Sequence, residues 1–135
     1  DAKIKRVADL ADMFLLDVKH ADESGHIMLT GRPPEKPRRF LEFLCEKNKR
    51  LWIRCVLING ITAGPEYAKT LGNYLKPYGD KIERIELLPY HRLGVGKWKK
   101  LGLEYKLEGV EPTPRETVEN FKKVLRGIVP IKEIV

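Results

Sequence analysis

The sequence predicts an α/β fold of parallel βα units. Four short apolar runs read as buried strands, stretches of helical period separate them, and the last helix carries clear start and stop signals. Strands alternating with helices form parallel neighbours joined by outer crossover helices. The pattern alone leaves undecided whether such a sheet stays open or belongs to a barrel.

The chain enters a helix-like pattern directly from Asp1, then reaches the apolar run Met13 to Val18, the first expected strand. From Arg38 to Lys49 the spacing predicts a helix with Phe40, Phe43 and Leu44 on one face. Leu51 to Ile58 is the second strand. Glu66 to Tyr78 follows as a helix whose stripe is Tyr67, Leu71, Tyr74, Leu75 and Tyr78. Ile82 to Leu88 is the third strand, and Pro89 to Pro112 reads as a long connection, a length that in a compact domain usually marks function. Thr113-Pro114-Arg115-Glu116 has the form of a capping box with Pro at the first helical position. Val118, Phe121, Val124 and Leu125 make the buried face of that helix, Gly127 stops it, and Val129 to Val135 is the fourth strand.

Composition narrows the function classes. With 135 residues, 42% hydrophobic and 33% charged, the chain is expected to form one globular domain covering residues 1–135. No apolar run approaches the ~20 residues of a membrane helix, and no signal peptide opens the chain, so a cytoplasmic protein without a membrane partner is expected. The start at Asp1 suggests a fragment. The net charge of +7 is compatible with an acidic partner, but its charges are dispersed apart from Lys97-Trp98-Lys99-Lys100. No nucleic-acid module accompanies them, so nucleic acid is not the expected partner. Cys45 and Cys55 lack metal-site spacing and read as small buried hydrophobes.

Parallel α/β folds bind ligands at the carboxyl ends of their strands. In the first strand, Leu15, Asp17 and Lys19 share a face by the two-residue period. The two charges either pair with each other or serve a ligand, the lysine holding a carboxylate and the aspartate a cation or hydroxyl. In the second strand, Trp52, Arg54 and Val56 share a face. A guanidinium in so apolar a strand either pairs, for example with Glu86, or faces a wet cavity. After the third strand comes Pro89-Tyr90-His91, where the histidine is either solvated or stacked on a ligand ring. No complete catalytic constellation is present: no Ser/His or Cys/His pair, no phosphate loop, and only a weak glycine signal at Gly94-Val95-Gly96.

At these residues the sequence resembles the C-terminal half of the pyruvate formate-lyase activating enzyme family. Leu16-Asp17-Val18-Lys19, Leu51-Trp52-Ile53-Arg54 and Ile85-Glu86-Leu87-Leu88-Pro89-Tyr90-His91 carry the likeness, followed by Lys97-Trp98 and Tyr105-Lys106-Leu107. The resemblance implies parallel βα units forming part of a partial (β/α)6 barrel of TIM type. It implies a radical-SAM enzyme that uses a [4Fe-4S] cluster and S-adenosylmethionine (SAM) to place a glycyl radical on pyruvate formate-lyase, with an electron donor such as flavodoxin. The cofactor-binding residues it implies are Asp17, Val18, Lys19, Arg54, Val56 and His91. Lys19 would hold the SAM carboxylate, Asp17 would lie near a monovalent cation, and His91 would contact the adenosine.

The family's three-cysteine cluster motif and glycine-rich SAM loop have no counterpart in these residues, so no catalytic or metal-ligating residue is assigned. The chain alone is expected to be inactive, to lack the cluster and to bind SAM weakly. As a truncated barrel it would expose the Met13 to Val18 edge, which is expected to become buried against another copy. An activase of another glycyl-radical enzyme, or a stand-alone basic binding module, remains the alternative.

Overall fold

A computed structural model describes residues 2–135. The elements run α1 (Ala2–Leu10), β1 (Met13–Asp17), α2 (Glu23–Thr30), α3 (Glu35–Glu46), β2 (Arg50–Leu57), α4 (Pro65–Leu75), β3 (Ile82–Pro89), α5 (Val95–Lys100), α6 (Arg115–Arg126) and β4 (Glu133–Ile134). The strands form one parallel sheet in the order β1-β2-β3-β4. Each strand thus lies beside its neighbour in sequence, as in a section of barrel wall, and the sheet is open.

The two faces of the sheet differ sharply. Leu51, Ile53, Cys55 and Leu57 of β2 are buried, as are Ile82, Ile85 and Leu87 of β3. They share one core with Leu41 and Leu44 of α3, Ala68, Leu71 and Leu75 of α4, and Phe121 and Leu125 of α6. Removing such apolar surface from water is the main force holding the layers together. The alternate residues, among them Leu15, Trp52, Arg54, Val56, Arg84 and Glu86, are only partly buried or exposed. They make the wall's inner face, which α3, α4 and α6 leave uncovered.

Two glycines mark close approaches. A Cβ on Gly72 of α4 would lie 2.9 Å from Ile128 Cγ2, so glycine lets the residues after α6 pack tightly on α4. A Cβ on Gly25 would overlap the His20 imidazole, which itself packs 4.6 Å from the Tyr67 ring.

The structure departs from the sequence expectations in five places. α2 was not expected, and α5 forms inside the presumed loop from Pro89 to Pro112. The capping box does not form: Thr113 spends its hydroxyl on the Leu57 carbonyl at 2.6 Å, and α6 starts without a side-chain cap. β4 is short, because Pro130 lacks a ladder N–H and pairing resumes only at Glu133. Lys19 lies beyond the end of β1, so the alternation that joins Leu15 to Asp17 does not extend to it.

Candidate functional site

The carboxyl ends of β1, β2 and β3 converge on a cleft of about 280 Å³. β1 and its exit supply Asp17, Val18 and Lys19; β2 supplies Arg54, Val56 and Ile58. Leu29 and Thr30 of α2 form another side, and Tyr90 and Leu107 close the third. The period-two geometry explains the grouping: Arg54 sits in register with Asp17 on one side and Glu86 on the other, and Val56 with Leu88.

The loop beyond β3 is tied down over this end of the sheet. Asn59 donates to the carbonyls of Glu111 and Pro112, each at 3.1 Å. Thr113 N–H donates to the Tyr90 carbonyl at 3.0 Å, and Tyr90 N–H to the Leu57 carbonyl at 2.9 Å. The Tyr90 and Tyr105 hydroxyls hydrogen-bond at 2.7 Å, a contact that pushes the Tyr105 phenol up to about 12. At the end of β2, the buried Thr62 accepts from Ile58 N–H and donates to the Val56 carbonyl, fixing that strand exit.

The charged groups are paired. Lys19 Nζ donates to Asp17 Oδ2 at 2.9 Å with both side chains about half exposed (48% and 46%). Arg54 Nε lies 3.4 Å from Glu86 Oε2. That approach is an ion pair without hydrogen-bond alignment, for the buried Nε has no acceptor among the described residues. Both pairings that the sequence left open are therefore present; Asp17–Lys19 lies on the cleft, and Arg54–Glu86 reaches it through Arg54. Of the six residues singled out from sequence, Asp17, Val18, Lys19, Arg54 and Val56 line the cleft; His91 does not, being exposed one residue beyond Tyr90. Sequence reasoning passed over Leu29, Thr30, Ile58 and Leu107. Tyr90 was in view, beside the histidine chosen instead.

Neither cysteine is placed for metal or nucleophilic chemistry. Cys45 and Cys55 are both buried, and desolvation pushes the Cys55 thiol up to about 12. Among the described residues no cluster of His, Cys, Asp and Glu is arranged to hold a metal ion. No helix is long and apolar enough to cross a membrane.

Sequential parallel strands, helices on one face and a polar cleft at the strand ends define a section of an α/β barrel wall, with the cleft at the end where such folds bind ligands. No protein-family model matches the chain. It is 41% identical over 122 residues to the pyruvate formate-lyase-activating enzyme of Staphylococcus epidermidis, a match covering 89% of the chain and 48% of that enzyme. The pyruvate formate-lyase 1-activating enzyme of Escherichia coli K12 is 38% identical over 125 residues, 93% of the chain and 50% of the enzyme. In sequence the chain is similar to pyruvate formate-lyase-activating enzymes, and it spans about half the length of these relatives. Among solved structures, a domain of a pyruvate-formate lyase-activating enzyme from Bacteroides vulgatus superposes with a TM-score of 0.77, covering 100% of this chain and 74% of that one at 20% identity. A radical SAM methyltransferase from Sphaerobacter thermophilus gives 0.65, covering 99% and 37% at 16% identity. These two structural likenesses establish the fold.

Proposed function

We propose that the chain is the C-terminal, SAM-contacting part of a radical-SAM activating enzyme that generates a glycyl radical on pyruvate formate-lyase. The observation that carries this reading is the 38–41% identity to activating enzymes along about nine-tenths of the chain. The cleft adds support. It joins cations, a carboxylate and apolar walls, a donor set that suits a ligand combining a carboxylate, a sulfonium and a nucleoside.

In this reading Lys19 turns from Asp17 to hold the SAM carboxylate, through a charge-assisted hydrogen bond of about 1.5–3 kcal/mol. Asp17, released, faces a monovalent cation. Val56 and Ile58 pack on the nucleoside, and His91 meets it from beyond Tyr90. When bound, SAM with an iron–sulfur cluster supplies the one-electron chemistry that removes a hydrogen atom from a glycine of the partner. The described residues do not fit a cluster, so its ligands belong to another part of the enzyme, and an electron donor such as flavodoxin supplies its electron.

The test is anaerobic reconstitution of the full-length gene product with iron and sulfide. SAM cleavage and a glycyl-radical signal on added pyruvate formate-lyase are the expected results. SAM cleavage without that signal points to another glycyl-radical enzyme as partner. Absence of both iron–sulfur absorbance and SAM cleavage overturns the reading.

A further inference from the structure

The inner face of the sheet carries a row of charges running from β4 towards the cleft. Arg84 donates through Nε and Nη2 to the two oxygens of Glu133 at 2.8 and 2.6 Å, and its guanidinium lies 4.2 Å from the centre of the Trp52 ring. This fork-on-fork contact with an aromatic backing allows Arg84 little freedom. Its Nη1 is 3.7 Å from Glu86 Oε1, and Glu86 Oε2 is 3.4 Å from Arg54 Nε. Glu86 therefore stands between a fixed arginine and the arginine that lines the cleft.

Two carboxylates flank Arg54 across the strands, Asp17 and Glu86. Asp17 is engaged by Lys19 at 2.9 Å, so Glu86 is the one that holds Arg54. It does so side-on, through Nε, at an angle that makes no hydrogen bond. A buried donor left so is uncommon and calls for a reason. Loose attachment at Nε restrains the stem of the side chain and keeps the terminal N–H groups available for an acceptor arriving in the cleft.

We infer that Glu86 is a positioning residue: braced by Arg84, Glu133 and Trp52, it aims the Arg54 guanidinium at an oxygen acceptor of the ligand bound in the cleft. The inference rests on the reading of that cleft as a SAM site, and it gives a task to a carboxylate which does not itself line the cleft. Neutralising Glu86 leaves Arg54 a buried-edge cation without its holder, and supporting carboxylates of this kind typically change ligand affinity by about 10-fold or more.

The experiment measures SAM affinity by calorimetry on the reconstituted full-length product. Glu86→Gln should weaken binding about 10-fold, and Glu86→Asp should recover part of the loss. Arg54→Gln should weaken it at least as much, and the double variant no further than Arg54→Gln alone, because both changes remove one device. A purely structural Glu86 would lower the melting temperature while its effect multiplied with that of Arg54→Gln. Arg84→Lys runs the same cycle should Glu86→Gln fail to fold. Wild-type affinity in Glu86→Gln, or losses that multiply in the double variant, overturns the inference and leaves the SAM reading standing. A wild-type protein that does not bind SAM removes that reading, and the inference with it.

Discussion

The Thr113 hydroxyl donates to the Leu57 carbonyl at 2.6 Å, joining residues 56 apart in sequence. The bond anchors the start of α6 to the end of β2, directly beneath the cleft, and both residues are buried. Thr113→Val removes this donor and leaves the Leu57 carbonyl with the Tyr90 N–H alone. It should cost about 0.5–1.5 kcal/mol, read by urea unfolding, whereas Thr113→Ser should cost much less. Equal losses in the two variants would mean that methyl packing, and not the hydroxyl, is what matters.

Phe121 is 1% exposed and packs its ring 6.2 Å from Tyr67, bridging α6 and α4. Phe121→Ala should destabilise the domain by about 3–5 kcal/mol in a denaturant titration, enough to unfold much of a marginally stable protein at 37 °C.

Gly72 makes the opposite test, of overpacking. An added methyl would press on Ile128, so Gly72→Ala should lower stability by about 1–3 kcal/mol although alanine favours helices. Ile128→Val in the same chain should restore part of the loss, visible as a partial recovery of the melting temperature.

Stability should fall at alkaline pH. Burial raises the Cys55 thiol from its ordinary 9.0 to about 12, and desolvation raises the Tyr67 phenol as well. The unfolded thiol releases its proton first, so between pH 9 and 12 the unfolded state binds fewer protons and the slope of stability against pH is negative. The contribution is complete below about pH 9 and lost as pH approaches 12. Denaturant midpoints across this range check it, and a native Cys55 that reacts with a thiol reagent as fast as the unfolded one would refute it.

Within the proposed function, Lys19→Ala should raise the Kd for SAM by about 10- to 150-fold, the equivalent of one charge-assisted hydrogen bond. His91→Ala, at an exposed residue outside the cleft lining, should have a smaller effect. An unchanged Kd would take either residue off the site.

What sequence could convey followed from burial. Three strands and the helices from Glu35, Pro65 and Arg115 were legible because apolar residues repeat where they meet the core. α2 was not, because its buried residue is His26 while Ile27 and Met28 face outward at 43% and 58% exposure, which reverses the usual stripe. The capping box failed for a related reason: Thr113 engages a distant backbone carbonyl and not the backbone N–H of the first helical turn. Asp17, Lys19 and Arg54 stood out as charges in apolar surroundings. Leu29 and Leu107 could not, since nothing local distinguishes an apolar cleft wall from an apolar core.

The strand order has a bearing on how the chain is made. Because every strand pairs with its immediate predecessor, the sheet can be assembled in the order of synthesis, without waiting for a distant partner. The exception is the brace beneath the cleft. Glu133 arrives with β4, so Arg84 lacks the Glu133 fork until that strand has been made. A nascent chain that stops short of β4 would hold three paired strands in which Arg84, and through Glu86 the Arg54 side chain, lacks this brace. Within the proposed function, binding competence would wait for β4 to join the sheet.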